Sequence, residues 1–121
     1  MSYKVVKDYL NFEISGVGSP AYIVPESRKL WTEMGQICDA QSVHRVLANM
    51  RFKERLPIRF CMDIARYAQE TGWSPSFKLA LVTDAHNHMA LNLVKSFMVH
   101  LGYEVEVFLN KRNARKWLLT A

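Results

Sequence analysis

The sequence predicts an α/β fold, with elements in the order ββαβαβαβα and a mixed, mainly parallel five-stranded sheet with about four helices. Short runs of strand-type, apolar or alternating residues occur at 3–9, 10–17, 43–50, 77–84 and 103–110. Apolar residues recur at helical spacing between most of these runs. Helices at these places would form the crossovers that join parallel strands. No linker or repeat interrupts the 121 residues, so we expect a single domain over residues 1–121.

The first half contains two strands, a helix and a third strand. Strands 3–9 and 10–17 are joined by a tight turn near Asp8 to Asn11. A helix is predicted from Pro25 to Asp39, because proline suits the first turn and apolar residues then recur at helical spacing. The largely apolar run 43–50 predicts a buried strand.

The second half alternates helix and strand. Pro57 begins a helix that Gly72 ends, and 77–84 is the most apolar strand. A helix from Asn87 to Leu101 precedes strand 103–110, after which Asn110 caps a last short helix. The predicted core sides of the two longer helices are Phe60, Cys61, Ile64, Ala65 and Ala68, and then Met89, Leu93, Val94, Phe97, Met98 and Leu101.

The lack of a recognisable targeting signal and the pattern around the two cysteines favour a cytoplasmic protein. The N-terminal residues lack the apolar core of a signal peptide, and no run approaches the roughly 20 apolar residues of a membrane span. Cys38 and Cys61 lie in mostly apolar helical patterns, which predicts two reduced, buried thiols.

The net charge of +5 is concentrated in two basic segments. Residues 45–66 contain six basic and two acidic side chains, and residues 111–116 contain four basic side chains and no acid. Two such segments favour an anionic ligand or an acidic partner, with a solvated charged surface as the alternative.

The order of elements resembles the STAS fold of anti-sigma-factor antagonists, and the SpoIIAA-like subgroup of bacterial STAS proteins in particular. Three stretches carry the resemblance: VHRVLANMR, FKLALVTD with its following helix, and VEVFLNKRNARKWL. In regulatory STAS proteins a kinase phosphorylates a serine in the loop after the third strand. Here that loop, residues 49–57, has no Ser, Thr or Tyr, so the family's phosphorylation switch is not expected.

The same loop is the first candidate binding site. Arg51, Lys53, Arg55 and Arg59 surround the start of a helix, where free N–H groups favour an anion. The loop follows the carboxyl end of a strand, where ligands of open α/β sheets gather. An acidic protein, a phosphate group or an anionic lipid head could bind there.

The second candidate follows the carboxyl end of the next strand. Asp84, His86 and His88 could share an edge of the sheet with the basic loop. His86 and His88 are weak metal candidates because their spacing is not a strong metal signature, and Asp84 or Asn87 is more simply a helix cap. We therefore predict no metal and no cofactor.

The sequence favours a non-enzymatic regulatory module that engages an acidic partner protein or anionic ligand, with self-association as a homodimer a further expectation. No arrangement of nucleophile, base and orienting group is visible, and nucleic acid is not favoured. The alternative is a small apolar or lipid-like ligand between a helix and the sheet, since STAS-like domains resemble Sec14-type lipid-binding domains. Five methionines would suit an adaptable pocket and would suit an ordinary core equally well: Met34, Met50, Met62, Met89 and Met98.

Overall fold

The computed structural model describes residues 2–16, 20–52 and 54–120. Within them, five strands and four α-helices follow one another in the predicted order. The strands are β1 (Ser2–Val6), β2 (Tyr9–Gly16), β3 (Arg45–Phe52), β4 (Lys78–Val82) and β5 (Glu104–Phe108). The helices are α1 (Pro20–Gln41), α2 (Cys61–Glu70), α3 (Ala85–His100) and α4 (Lys111–Leu118), and a 3-10 turn at Ile58–Phe60 precedes α2.

The sheet has the order β1-β2-β3-β4-β5, with β1 antiparallel to β2 and every other pair parallel. The mixed, mainly parallel sheet predicted from the sequence is therefore confirmed. Each crossover helix joins neighbouring parallel strands, and crossovers of one hand put α1, α2 and α3 on the same face. The carboxyl ends of β2 to β5 consequently lie along one edge of the sheet.

The two faces of the sheet have separate apolar clusters. Alternating strand residues such as Phe12, Ala48 and Leu81 pack under α1, α2 and α3 in the main cluster. The opposite face has a smaller cluster, in which Leu47 and Ala80 pack against Ala114 and Leu118 of α4. The short α4 contacts β3, β4 and β5, so it covers only part of that face.

Helices α1, α2 and α3 end in a residue with positive φ. Gly72 after α2 has φ +82° and Gly102 after α3 has φ +99°, which confirms both predicted helix ends. Ser42 has the same role after α1, at φ 54°. In each case the next N–H turns back to a helical carbonyl, as Val43 does to Cys38 at 3.0 Å.

Helix α1 begins five residues earlier than predicted. It starts at Pro20, whose fixed φ suits the first position of a helix, and it continues through Pro25, which lacks the N–H for one intrahelical hydrogen bond. The turn of the first hairpin is also shorter and earlier, since Val6 pairs directly with Tyr9. Only Lys7 and Asp8 lie between them, so Asn11 belongs to β2.

Two predictions of core residues were wrong. Met89 is exposed, because the buried side of α3 runs through Asn87, Ala90, Leu91, Val94 and Met98. Phe60 lies in the 3-10 turn and is only partly buried, with the Arg59 guanidinium 5.0 Å from its ring centroid. The other predicted core residues of α2 are buried.

Candidate functional site

The two candidate segments meet at the carboxyl edge of the parallel strands. The basic loop follows β3, and the residues Asp84 to His88 follow β4, its neighbour in the sheet. The ring Nε2–H of His86 donates a hydrogen bond to the Phe52 carbonyl at 2.8 Å. The structure therefore brings the two segments together, as the positions of their strands predicted.

Asn87 attaches the basic loop to α3. Its side chain is 1% exposed, and its Oδ1 accepts a hydrogen bond from the Leu56 backbone N–H at 2.7 Å. Its Nδ2 donates to the Glu54 carbonyl at 3.1 Å. Leu56 is itself buried in the main apolar cluster, so the loop is anchored by an apolar side chain and by two hydrogen bonds.

Sequence reasoning assigned Asn87 only a capping role, and the structure corrects this. Asp84 occupies the N-cap position of α3 without a side-chain capping bond, while its carbonyl accepts from the Asn87 backbone N–H at 3.1 Å. Helical spacing in the sequence could have placed Asn87 on the buried side of α3, because Asn87 precedes the apolar residues Ala90 and Leu91 by three and four positions. A polar side chain on that buried side needs partners, and the loop backbone supplies them.

The basic residues of the predicted site do not all lie on the same surface of the protein. Arg55 and Arg59 are exposed on the loop and the 3-10 turn, and neither forms an ion pair with a described acidic residue. Arg51 is also exposed, but strand alternation places it with Leu47 and Asn49 on the α4 face. Lys53 lies outside the described residues.

His86 and His88 do not form a shared site with Asp84. The two histidines are two residues apart on a helix, so their rings point in different directions. The Nδ1 of His88 accepts a hydrogen bond from Asn92 Nδ2 at 3.3 Å. Among the described residues, no three His, Cys, Asp or Glu side chains are grouped closely enough to hold a metal ion.

Three large apolar side chains are exposed on the segments that adjoin the basic loop: the 3-10 turn, the first turn of α2, and the beginning of α3, to which the loop is attached. Ile58, Met62 and Met89 are 59%, 54% and 68% exposed. Met62 and Met89 lie on adjacent helices, since their chain neighbours Cys61 and Ala90 are joined by a 3.3 Å contact from Sγ to the carbonyl. We call Arg55, Arg59, Ile58, Met62 and Met89 the rim surface.

Neither thiol belongs to a reactive site. Burial raises the pKa of Cys61, and burial together with the charge of Asp39 raises the pKa of Cys38 to about 12. Both cysteines are free and buried, as the sequence predicted. A thiol with a raised pKa is a poor nucleophile near neutral pH.

The second basic segment forms α4, which is capped as predicted by Asn110 Oδ1 accepting from the Asn113 N–H at 2.9 Å. Lys111 forms an ion pair with Glu13, which also accepts from Asn49 Nδ2 at 2.8 Å. Burial opposes ionisation of Glu13, yet hydrogen bonds from Lys111, Asn49 and Asn11 outweigh it. The pKa of this carboxyl is therefore below its usual value.

The five methionines that would suit either an adaptable pocket or an ordinary core are not gathered in one place. Met34 and Met98 are buried in the main cluster, whereas Met62 and Met89 face solvent. Met50 is partly buried against the main cluster. No helix in the described ranges is long and apolar enough to cross a membrane.

Comparisons with protein-family models, with curated proteins and with solved structures found no match. The resemblance to STAS proteins therefore stays a prediction.

Proposed function

We propose that this protein is a non-enzymatic binding module that engages an acidic partner protein through the rim surface. The observation that carries the proposal is the attachment of the basic loop by Asn87 to the start of α3. An anchored loop presents Arg55 and Arg59 in one arrangement, so less conformational entropy is lost on binding.

The composition of the rim surface defines the kind of partner. Unpaired arginines form bidentate hydrogen bonds with carboxylates, and arginine is enriched in protein interfaces. Burying the remaining area of Ile58, Met62 or Met89 would contribute about 1 kcal/mol each, since each is already partly buried. A partner with acidic groups around an apolar centre fits both features.

The raised pKa of Cys38 and of Cys61 argues against a role for either thiol as a nucleophile. Regulation by phosphorylation of the loop is not part of the proposal, because residues 49–57 contain no hydroxyl side chain. Membership of the STAS family would agree with a partner-binding role, and the proposal does not depend on it.

The test compares two double charge reversals. In Arg55→Glu/Arg59→Glu the rim surface changes sign, whereas Lys7→Glu/Lys29→Glu makes the same change in net charge at exposed positions elsewhere. Proteins captured from a lysate of the source cells are quantified by mass spectrometry, and the leading candidate is purified for direct titration at several salt concentrations.

The rim variant should lose a partner that the control retains, and both should melt at the wild-type temperature. Binding of the purified partner should weaken with added salt and with Met89→Ser. Equal capture by both variants would show that the rim surface is not the binding site.

A further inference from the structure

An open cavity of about 510 Å³ lies on the α4 face of the sheet. It exists because α4 covers β3 to β5 and leaves the β1–β2 end of that face uncovered. Lys111, Arg112 and Arg115 of α4 form one side of it, and Lys4 of the edge strand contributes from the other. A volume of this size is ordinary for a small-molecule site.

The four cations of the cavity are only partly neutralised. Glu13 pairs with Lys111, but Lys4, Arg112 and Arg115 form no ion pair with any acidic side chain in the described ranges. Like charges gathered around one concave surface repel one another. A bound anion with more than one negative charge would remove that repulsion, and arginine forks match phosphate oxygens in geometry.

The floor of the cavity is apolar. Val6, Tyr9 and Leu47 line it, and Tyr9 and Leu47 belong to the buried cluster beneath α4. Tyr9 and Leu47 are only 8% and 1% exposed, so the half-buried Val6 provides most of the apolar area open to a ligand. An organic group beside the phosphate would cover that area, which a bare inorganic ion leaves in contact with water.

Asn11 adds a polar feature to the same wall. Its Nδ2 donates to Glu13 at 3.3 Å, while its Oδ1 is enclosed and accepts no hydrogen bond from a described residue. A ligand in the open cavity cannot reach this enclosed oxygen, so Asn11 contributes to the site through its hydrogen bond to Glu13, the partner of Lys111.

We propose that this cavity binds a phosphate ester, with its phosphate between Lys4, Arg112 and Arg115 and its organic part over Val6 and the edge of Tyr9. The ligand is a soluble organic phosphate or a lipid headgroup, since both offer this chemistry. The site lies on the opposite face of the sheet from α2 and α3, which carry Met62 and Met89 of the rim surface. It is therefore independent of the proposed partner binding.

Calorimetric titration with AMP, with inorganic phosphate and with vesicles of phosphatidylcholine, with or without phosphatidylglycerol, tests the assignment. Arg112→Ala/Arg115→Ala is compared with Lys116→Ala/Lys29→Ala, which loses the same charge at exposed positions that do not line the cavity. Each lost charge-assisted hydrogen bond weakens binding by about tenfold or more. The cavity variant should lose at least that factor, while the control and Arg55→Glu/Arg59→Glu bind as the wild type does.

The ligand series distinguishes the sources. Tighter binding of AMP than of inorganic phosphate supports a soluble organic phosphate, and binding only to phosphatidylglycerol vesicles supports a lipid headgroup. The proposal is overturned if no probe binds, if inorganic phosphate binds as tightly as AMP, or if the cavity variant binds like the control.

Discussion

Replacing Asn87 by alanine tests whether the loop after β3 is anchored as described. The substitution removes the acceptor of the Leu56 N–H and the donor to the Glu54 carbonyl. Leu56 is 4% exposed, so its N–H would remain buried without a partner, at a cost of about 1–3 kcal/mol. Glu54 is exposed, and its carbonyl can accept a hydrogen bond from water instead, so losing this bond adds little to the loss of stability. We expect the free energy of unfolding to fall by about 2 kcal/mol.

Urea denaturation followed by tryptophan fluorescence measures this loss, and Asn92→Ala is the matched control on the same helix. Asn92 is half-buried, and among the described residues its side chain hydrogen-bonds only to His88, so its replacement should change stability by about 0.5 kcal/mol or less.

A second measurement reports on the loop itself. Trypsin cleavage after Arg55 requires the loop to leave α3, so the Asn87→Ala protein should be cut there faster than the control under native conditions. If Asn87→Ala costs no more than Asn92→Ala and cleavage after Arg55 is unchanged, the anchoring argument is refuted.

Two further predictions concern titratable groups. Because the folded pKa of Glu13 is lowered, its paired carboxylate stabilises the fold above its ordinary pKa of 4.5 and loses that contribution as the pH falls through the folded value. The difference in unfolding free energy between wild type and Glu13→Gln should therefore shrink in acid, and a difference independent of pH would contradict the pairing. Because Cys38 and Cys61 are buried and their pKa values are raised, we expect Ellman's reagent to label these thiols only as the protein unfolds. Rapid labelling without denaturant would contradict the burial of the thiols.

Local chemistry accounts for the parts of the fold that were predicted correctly. The ends of α2 and α3 followed from Gly72 and Gly102, since a positive φ is easy for glycine wherever the helix lies. The cap at Asn110 depends on a side chain and a backbone N–H three residues apart. The shared edge of the two loops followed from parallel neighbouring strands, because their carboxyl ends must meet.

The features that could not be predicted from the sequence depend on pairs of residues far apart in the chain. Periodicity defines an apolar side relative to a helix's own axis, but the rotation that buries Asn87 and exposes Met89 is set by the packing of α3 on α2 and β5. The contact of Asn87 with Leu56 spans 31 positions, so no local pattern contains it.

From the sequence alone, the order of elements, the glycine stops after α2 and α3 and the basic character of residues 51–59 and 111–116 were determined, because each depends on nearby residues. Only the tertiary structure decided that Lys4 faces the arginines of α4 across a cavity, and that Arg51 and Arg55 belong to different surfaces. Those placements follow from strand order and from the short length of α4, which leaves one end of the sheet uncovered.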